Sequence, residues 1–261
     1  MNSPVKNELK TLIQNTMRHQ FRKILVVFPF AVFLAAAVPA AETLQSVKER
    51  AKNYYWGIGG EQSYPKALQF YLTAAEGGDA EAQFISGGMY FKGLGTIKDF
   101  KKAFRLLHEA AKNGKSTAES EQILGQAFLL GSGVPKNYQK ALQWYQSAAE
   151  KGNKEAQNEL GFLYFVGNGV EQDAEKGGDY FLKAAYNGLV VAQYNVGIMY
   201  YTGRGVKTAD LEKSYGWLNI AAANGHQPAK SAREYLETIL SKEELTRAQH
   251  YSDEILKVIA P

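Results

Sequence analysis

Residues 156–188 read AQNELGFLYFVGNGVEQDAEKGGDYFLKAAYNG, and this stretch decides the fold. Ala156, Leu160, Gly161 and Tyr164 stand at offsets 0, 4, 5 and 8, which puts them on one face of an α-helix. Gly161 in mid-helix costs about 1 kcal/mol relative to Ala, so a glycine there predicts close approach by a second helix. Gly167-Asn168-Gly169 ends the first helix, because Gly reaches the left-handed conformation of a helix C-terminal cap. Asp173, three residues ahead of Lys176, is a good N-cap for a second helix, which runs through Ala184 and Ala185 to Gly188.

The same pattern recurs on both sides. Gly-x-Gly pairs begin at Gly57, Gly93, Gly131, Gly167 and Gly203, and Ala-Ala-x-x-Gly ends at Gly78, Gly114, Gly152, Gly188 and Gly225. Two independent series thus keep a period of 36 to 38 residues through five copies. Two extra residues fall between Gly114 and Gly131 and one between Gly203 and Lys213. The cap position is filled by Ser63, Asp99, Asn137, Asp173 and Asp210, whose side chains are expected to accept a backbone N–H. A helix-pair period of this length predicts a solenoid. After Gly225 the signature glycines stop. Two further helices are expected, from Pro228 to Leu240 and from Ser241 to about Ile259, the second opened by a Ser241/Glu244 capping box. A terminal unit of different sequence is what a solenoid needs where one face meets water.

The pattern Ala-x-x-x-Leu-Gly-x-x-Tyr-x-x-Gly-x-Gly-Val-x-x-Asp-x-x-Lys-Ala-x-x-Trp-Tyr-x-x-Ala-Ala-x-x-Gly resembles the Sel-one-like repeat (SLR), a relative of the tetratricopeptide repeat. The best copies are Leu124–Gly152 and Ala156–Gly188, and the resemblance covers about residues 46–225. It implies an all-α fold: a right-handed α/α solenoid of five SLR helix pairs, about 46–78, 79–114, 115–152, 153–188 and 189–225, plus a C-terminal capping helix pair at 226–261. It also implies an adaptor in protein complexes, often an exported bacterial one. Three copies depart from the pattern: Arg50-Ala51 replaces Leu-Gly in the first, and Gly177 and Ser214 replace Ala in the fourth and fifth. Some exported relatives bridge each repeat with a Cys pair; this chain has no Cys.

That absence also excludes disulfide scaffolds, thiol enzymes, thiolate zinc sites and lipoprotein cysteines. The formal charge of +4 belongs entirely to residues 1–40, and from Ala41 onward 25 basic residues face 25 acidic ones. A neutral body gives no support for nucleic-acid binding. Residues 24–37, ILVVFPFAVFLAAA, follow Arg18, Arg22 and Lys23 and precede Val38-Pro39-Ala40-Ala41, the order of a secretory signal. Residues 1–40 are therefore expected to be a signal peptide cut after Ala40, with Ala41 the neighbouring alternative. The run is shorter than the ~20 residues of a membrane span, so the competing reading as a retained anchor is the weaker one. Met17 begins a signal of ordinary length and is the expected initiator. The mature chain is expected in the periplasm or outside the cell, with membrane contact only during export.

No enzyme motif survives inspection. His19, His108, His226 and His250 form no recognised metal motif, so neither metal nor cofactor is expected. Ser63-Tyr64-Pro65-Lys66 matches the Ser-x-x-Lys of penicillin-recognising enzymes, but the Ser-Asp-Asn and Lys-Thr-Gly elements are missing. Ser63 and Lys66 also fill the repeat's own cap and lysine positions. The expected function is a non-catalytic scaffold for a protein or peptide partner. The alternatives are a cell-envelope hydrolase or β-lactam-binding protein, and a structural part of a secretion, motility or polysaccharide assembly.

Helix-pair solenoids bind on a concave face lined by the first helices. With offsets 0, 4, 5 and 8 inward, offsets 2 and 6 point away from the core at about 100° per residue. The candidate partner-binding residues are accordingly Phe84, Gln122, Gln126, Asn158, Phe162, Tyr194 and Ile198. Offset 9, which is Tyr55, Phe91, Leu129, Phe165 and Tyr201, is apolar in every copy and is expected to be inter-repeat core.

Overall fold

A computed structural model describes residues 43–259, and the expected signal at 1–40 lies outside that range. The described chain is all helix, without a strand. The first helices of the five pairs are α1 (Leu44–Trp56), α3 (Ala80–Lys92), α5 (Ala118–Leu130), α7 (Lys154–Val166) and α9 (Val190–Thr202). Their partners are α2 (Tyr64–Glu76), α4 (Phe100–Lys112), α6 (Tyr138–Glu150), α8 (Ala174–Tyr186) and α10 (Leu211–Ala223); α11 (Gln227–Ile239) and α12 (Lys242–Ile259) follow. Each helix packs on its pair partner, and each second helix packs on the next first helix, which makes the solenoid. No described helix is long and apolar enough to cross a membrane.

The mid-helix glycine is explained within the pair. A Cβ on Gly161 would stand 2.6 Å from Cδ1 of Phe181 on α8, and Gly87, Gly125 and Gly197 meet Leu107, Tyr145 and Leu218 in the same way. The second glycine of each Gly-x-Gly acts between pairs. Gly169, at φ +75°, lies over the first turn of α6, where a Cβ would be 2.4 Å from that of Tyr138. The motif is thus a stop signal at its first glycine and an inter-repeat contact at its second. The departures also have roles. Gly177 lets α8 approach the Gly161 carbonyl, and the Ser214 hydroxyl donates to the Gly197 carbonyl at 2.9 Å.

Asp99, Asn137, Asp173 and Asp210 each accept the backbone N–H three residues on, at 2.9–3.0 Å. Ser63 occupies the cap position, yet its side chain makes no such bond. That corrects the expectation of five side-chain caps; the hydroxyls of Thr117 and Ser241 do form the bond, so the exception belongs to Ser63 and its Pro65-containing first turn and not to hydroxyl caps as such. Thermal unfolding of Asp173→Ala is expected to report a loss of about 1 kcal/mol, and of Ser63→Ala less than about 0.5 kcal/mol. Equal losses would refute the distinction.

A polar ladder, not anticipated from the sequence, joins the repeats. Gln157, buried on α7, donates to the Ala149 carbonyl of the preceding repeat at 3.3 Å and accepts from Asn187 at the end of α8 at 2.8 Å. Gln83 with Asn113 and Gln193 with Asn224 repeat the arrangement. In the third repeat Glu121 and Lys151 take the two places, as an ion pair at 2.5 Å that also includes the Ser116 and Ser147 hydroxyls.

The last two helices close the stack, but not as one more hairpin. Both α11 and α12 pack on α10. Tyr251 and Ala248 of α12 press on Gly216, the Ser252 hydroxyl donates to the Gly216 carbonyl, and Ile255 joins the cluster around the fully buried Trp217. The Ser241/Glu244 capping box forms with both of its bonds.

Candidate functional site

The solenoid has two kinds of surface on which chemistry or binding can be sought: the helix-end loops with Ser63, and the outward arc of the first helices. At the loops the repeat lysine is already engaged. Lys66 lies 5.2 Å above the Tyr54 ring, and Lys102, Lys140, Lys176 and Lys213 lie 4.2–5.5 Å above Tyr90, Phe128, Tyr164 and Tyr200. Ser63-x-x-Lys66 is therefore one of five copies of a structural feature, with a cation over an aromatic ring. The groups with displaced proton affinities do not converge either. Burial raises the Tyr71 and Tyr251 hydroxyls in separate stretches of helix packing, and it raises the Glu159 carboxyl and the Tyr145 hydroxyl, the latter also through the nearby charge of Glu159.

The histidines have local roles. His108, its proton affinity lowered by burial and then by Lys112 and Lys140, stacks on Phe104 with ring centroids 5.3 Å apart. His226 Nδ1 accepts the Ala229 N–H as the N-cap of α11, and the His250 side chain is exposed on the outer face of α12. Among the described residues no cluster of three or more His, Asp or Glu is placed to hold a metal ion.

On the first-helix arc, the seven candidate residues separate. Phe162 is half exposed, Gln126 lines a surface cleft, and Gln122 and Phe84 are partly buried. Asn158 accepts from Asn195 of the next first helix at 3.0 Å. Tyr194 is packed against His226 with ring centroids 4.7 Å apart, and Ile198 joins it beside the cluster that contains Leu236 of α11. These two residues face a covering helix, since the cap supplies a neighbour exactly where a sixth repeat would stand. Offset 2 in general borders the adjacent first helix, so the open arc is centred on offsets 6 and 10. Offset 10 holds Trp56, Leu130 and Val166, all exposed, and was legible as the residue one turn beyond offset 6. Two offset-9 residues are also more open than core: Tyr201 is 40% exposed and Phe91 lines the cleft.

Against known families, a model of the Sel1 repeat matches residues 50–79, 80–115, 118–153, 154–189 and 190–226. The chain belongs to the Sel1 repeat family. Among solved structures it is similar to a Sel1 repeat protein from Oxalobacter formigenes, with 32% identity over 82% of this chain and 88% of that one and a TM-score of 0.60. It is also similar to a protective antigen of uropathogenic Escherichia coli strains that displays an SLR fold, at 23% identity over 84% of this chain and 62% of that one, TM-score 0.45. A Sel1 repeat protein from Klebsiella pneumoniae is 21% identical over 74% of this chain and 93% of that one, TM-score 0.41. A comparison with curated proteins found no significant match. Sel1 repeat proteins are generally protein-interaction scaffolds, and the Sel1 repeat fold is typically non-catalytic.

Proposed function

We propose that this chain is an exported scaffold, periplasmic or secreted, that binds a protein or peptide partner through the outward arc of its first helices. The observation that carries the reading is the placement of Leu130, Phe162 and Val166, which are 62%, 50% and 39% exposed, on α5 and α7 of successive repeats. Leu130 and Val166 share offset 10 of their repeats and Phe162 stands one turn before Val166 at offset 6, so the three lie along one open strip of the first helices. Aromatic and aliphatic side chains aligned in this way suit the apolar centre of an interface. Export rests on the sequence of residues 1–40.

Pull-down from a cell-envelope extract, followed by mass spectrometry, tests both parts. The wild-type protein is expected to capture a defined partner, and Phe162→Ala with Val166→Ala to reduce that capture at least tenfold at unchanged helicity. Unchanged capture would exclude this arc. A cytoplasmic fractionation of the full-length protein would exclude export.

A further inference from the structure

The largest departure from the repeat lies between α4 and α5. Three of the four linkers between a second helix and the next first helix have three residues, whereas Asn113–Thr117 has five. At this junction the two helices pack less extensively than at any other. At the end of these two helices away from that linker, between the first turns of α4 and the second half of α5, a cleft of about 340 Å³ opens, with Phe91, Phe104 and Ile123 in its wall and Phe100 and Leu130, 48% and 62% exposed, beside them. An apolar recess of this size is a place for an incoming side chain.

The charge around this recess is not neutral. Residues 92–115 hold seven Lys or Arg against two Asp or Glu, and residues 154–189 hold three against six. Lys98 lines the cleft, and Lys101 stands beside it with its Cα against Gly133. Neither has an ion-pair partner among the described residues. The nearest carboxylate in sequence, Asp99, is committed to the Lys102 backbone N–H and ammonium. A ligand entering the cleft therefore meets an apolar wall that includes Lys98, with Lys101 on the adjoining turn of α4.

We propose that this cleft is the anchor site of the scaffold, taking a bulky apolar side chain from a protein segment whose neighbouring residues are acidic. The inference rests on the scaffold reading above and adds to it the position and chemistry of the contact. The apolar anchor supplies affinity by leaving water, and the flanking carboxylates supply orientation and rate of encounter through Lys98 and Lys101.

Panning a random dodecapeptide library against the purified protein tests it. Enriched peptides are expected to combine an aromatic or large aliphatic residue with adjacent Asp or Glu. They are expected to lose at least tenfold in affinity to Leu130→Glu, an exposed position that tolerates charge, and similarly to Lys98→Glu with Lys101→Glu, and to weaken as salt rises. Enriched peptides without acidic bias, or binding that survives both variants, would overturn the proposal. If no peptide is enriched while the envelope pull-down still captures a partner, the cleft is wrong and the scaffold stands. If the pull-down also captures nothing, both fall.

Discussion

Gly133→Ala is expected to destabilise the protein by about 3–5 kcal/mol, whereas Gly59→Ala, at the same position of the first repeat, costs about 1 kcal/mol. Both glycines have left-handed backbones, with φ +80° and +73°, so both variants carry the strain of placing Ala there, about 1–2 kcal/mol. They differ in what the new methyl group meets. At Gly133 it would lie 2.6 Å from the Cα of Lys101 and 2.8 Å from the carbonyl oxygen of Phe100, both in the first turn of α4. Helical backbone cannot swing aside as a side-chain tip can, so the loop must lift or α4 must shift. At Gly59 nothing among the described residues lies within 4 Å, since no described helix pair stands before the first one.

Since a solenoid is held by nearest-neighbour interfaces, damage at Gly133 is expected to weaken the coupling of the second and third repeats. Urea unfolding should show a lower midpoint for Gly133→Ala and a smaller slope, the sign of lost cooperativity. Matching losses in the two variants would mean that backbone strain alone, and not the contact between repeats, is what the second glycine serves.

That contact marks the boundary of what the sequence made legible. Features confined to one helix or one loop, such as the Ala156/Leu160/Gly161/Tyr164 face and the Asp173 cap, could be read directly because local geometry fixes them. Which side chains meet between helices could not. The pairing of Lys176 with Tyr164 and of Asn187 with Gln157 recurs through the copies, so a signal existed, but its meaning depends on which helices become neighbours. The candidate surface is partly covered for a related reason at Tyr194 and Ile198. A rule averaged over repeats treats the fifth as interior, and only the structure places α11 and His226 over it. Charge was lost to averaging in the same way: a balance of zero over the mature chain hid the basic second repeat and the acidic fourth.

Lys151→Asn is expected to cost about 2–4 kcal/mol and Glu121→Gln about 1–2 kcal/mol, while the two together return the protein to within about 1 kcal/mol of wild type. The asymmetry follows from burial. The Glu121 side chain is 4% exposed and the Lys151 side chain 45%, so removing the lysine strands a carboxylate away from water, and removing the carboxylate leaves an ammonium that rehydrates in place. The double variant installs the Gln and Asn that the second, fourth and fifth repeats already use at these positions, with the Ser116 and Ser147 hydroxyls still beside residue 121.

The pH dependence separates charge from packing. Burial raises the proton affinity of Glu121, but the bonds from Lys151, Ser116 and Ser147 outweigh it, and the folded-state pKa lies below the usual carboxylate range. Its contribution in the wild type is therefore complete above the unfolded-state value of about 4.3 and is lost as pH falls through the depressed folded value. In Lys151→Asn burial is no longer opposed by the ammonium, so the pKa should rise and the deficit should shrink as acid neutralises the stranded carboxylate. A double-mutant cycle in urea at neutral and mildly acidic pH measures both effects. A deficit in Lys151→Asn that does not change with pH would show that the lysine acts there by packing its alkyl chain and not by pairing its charge.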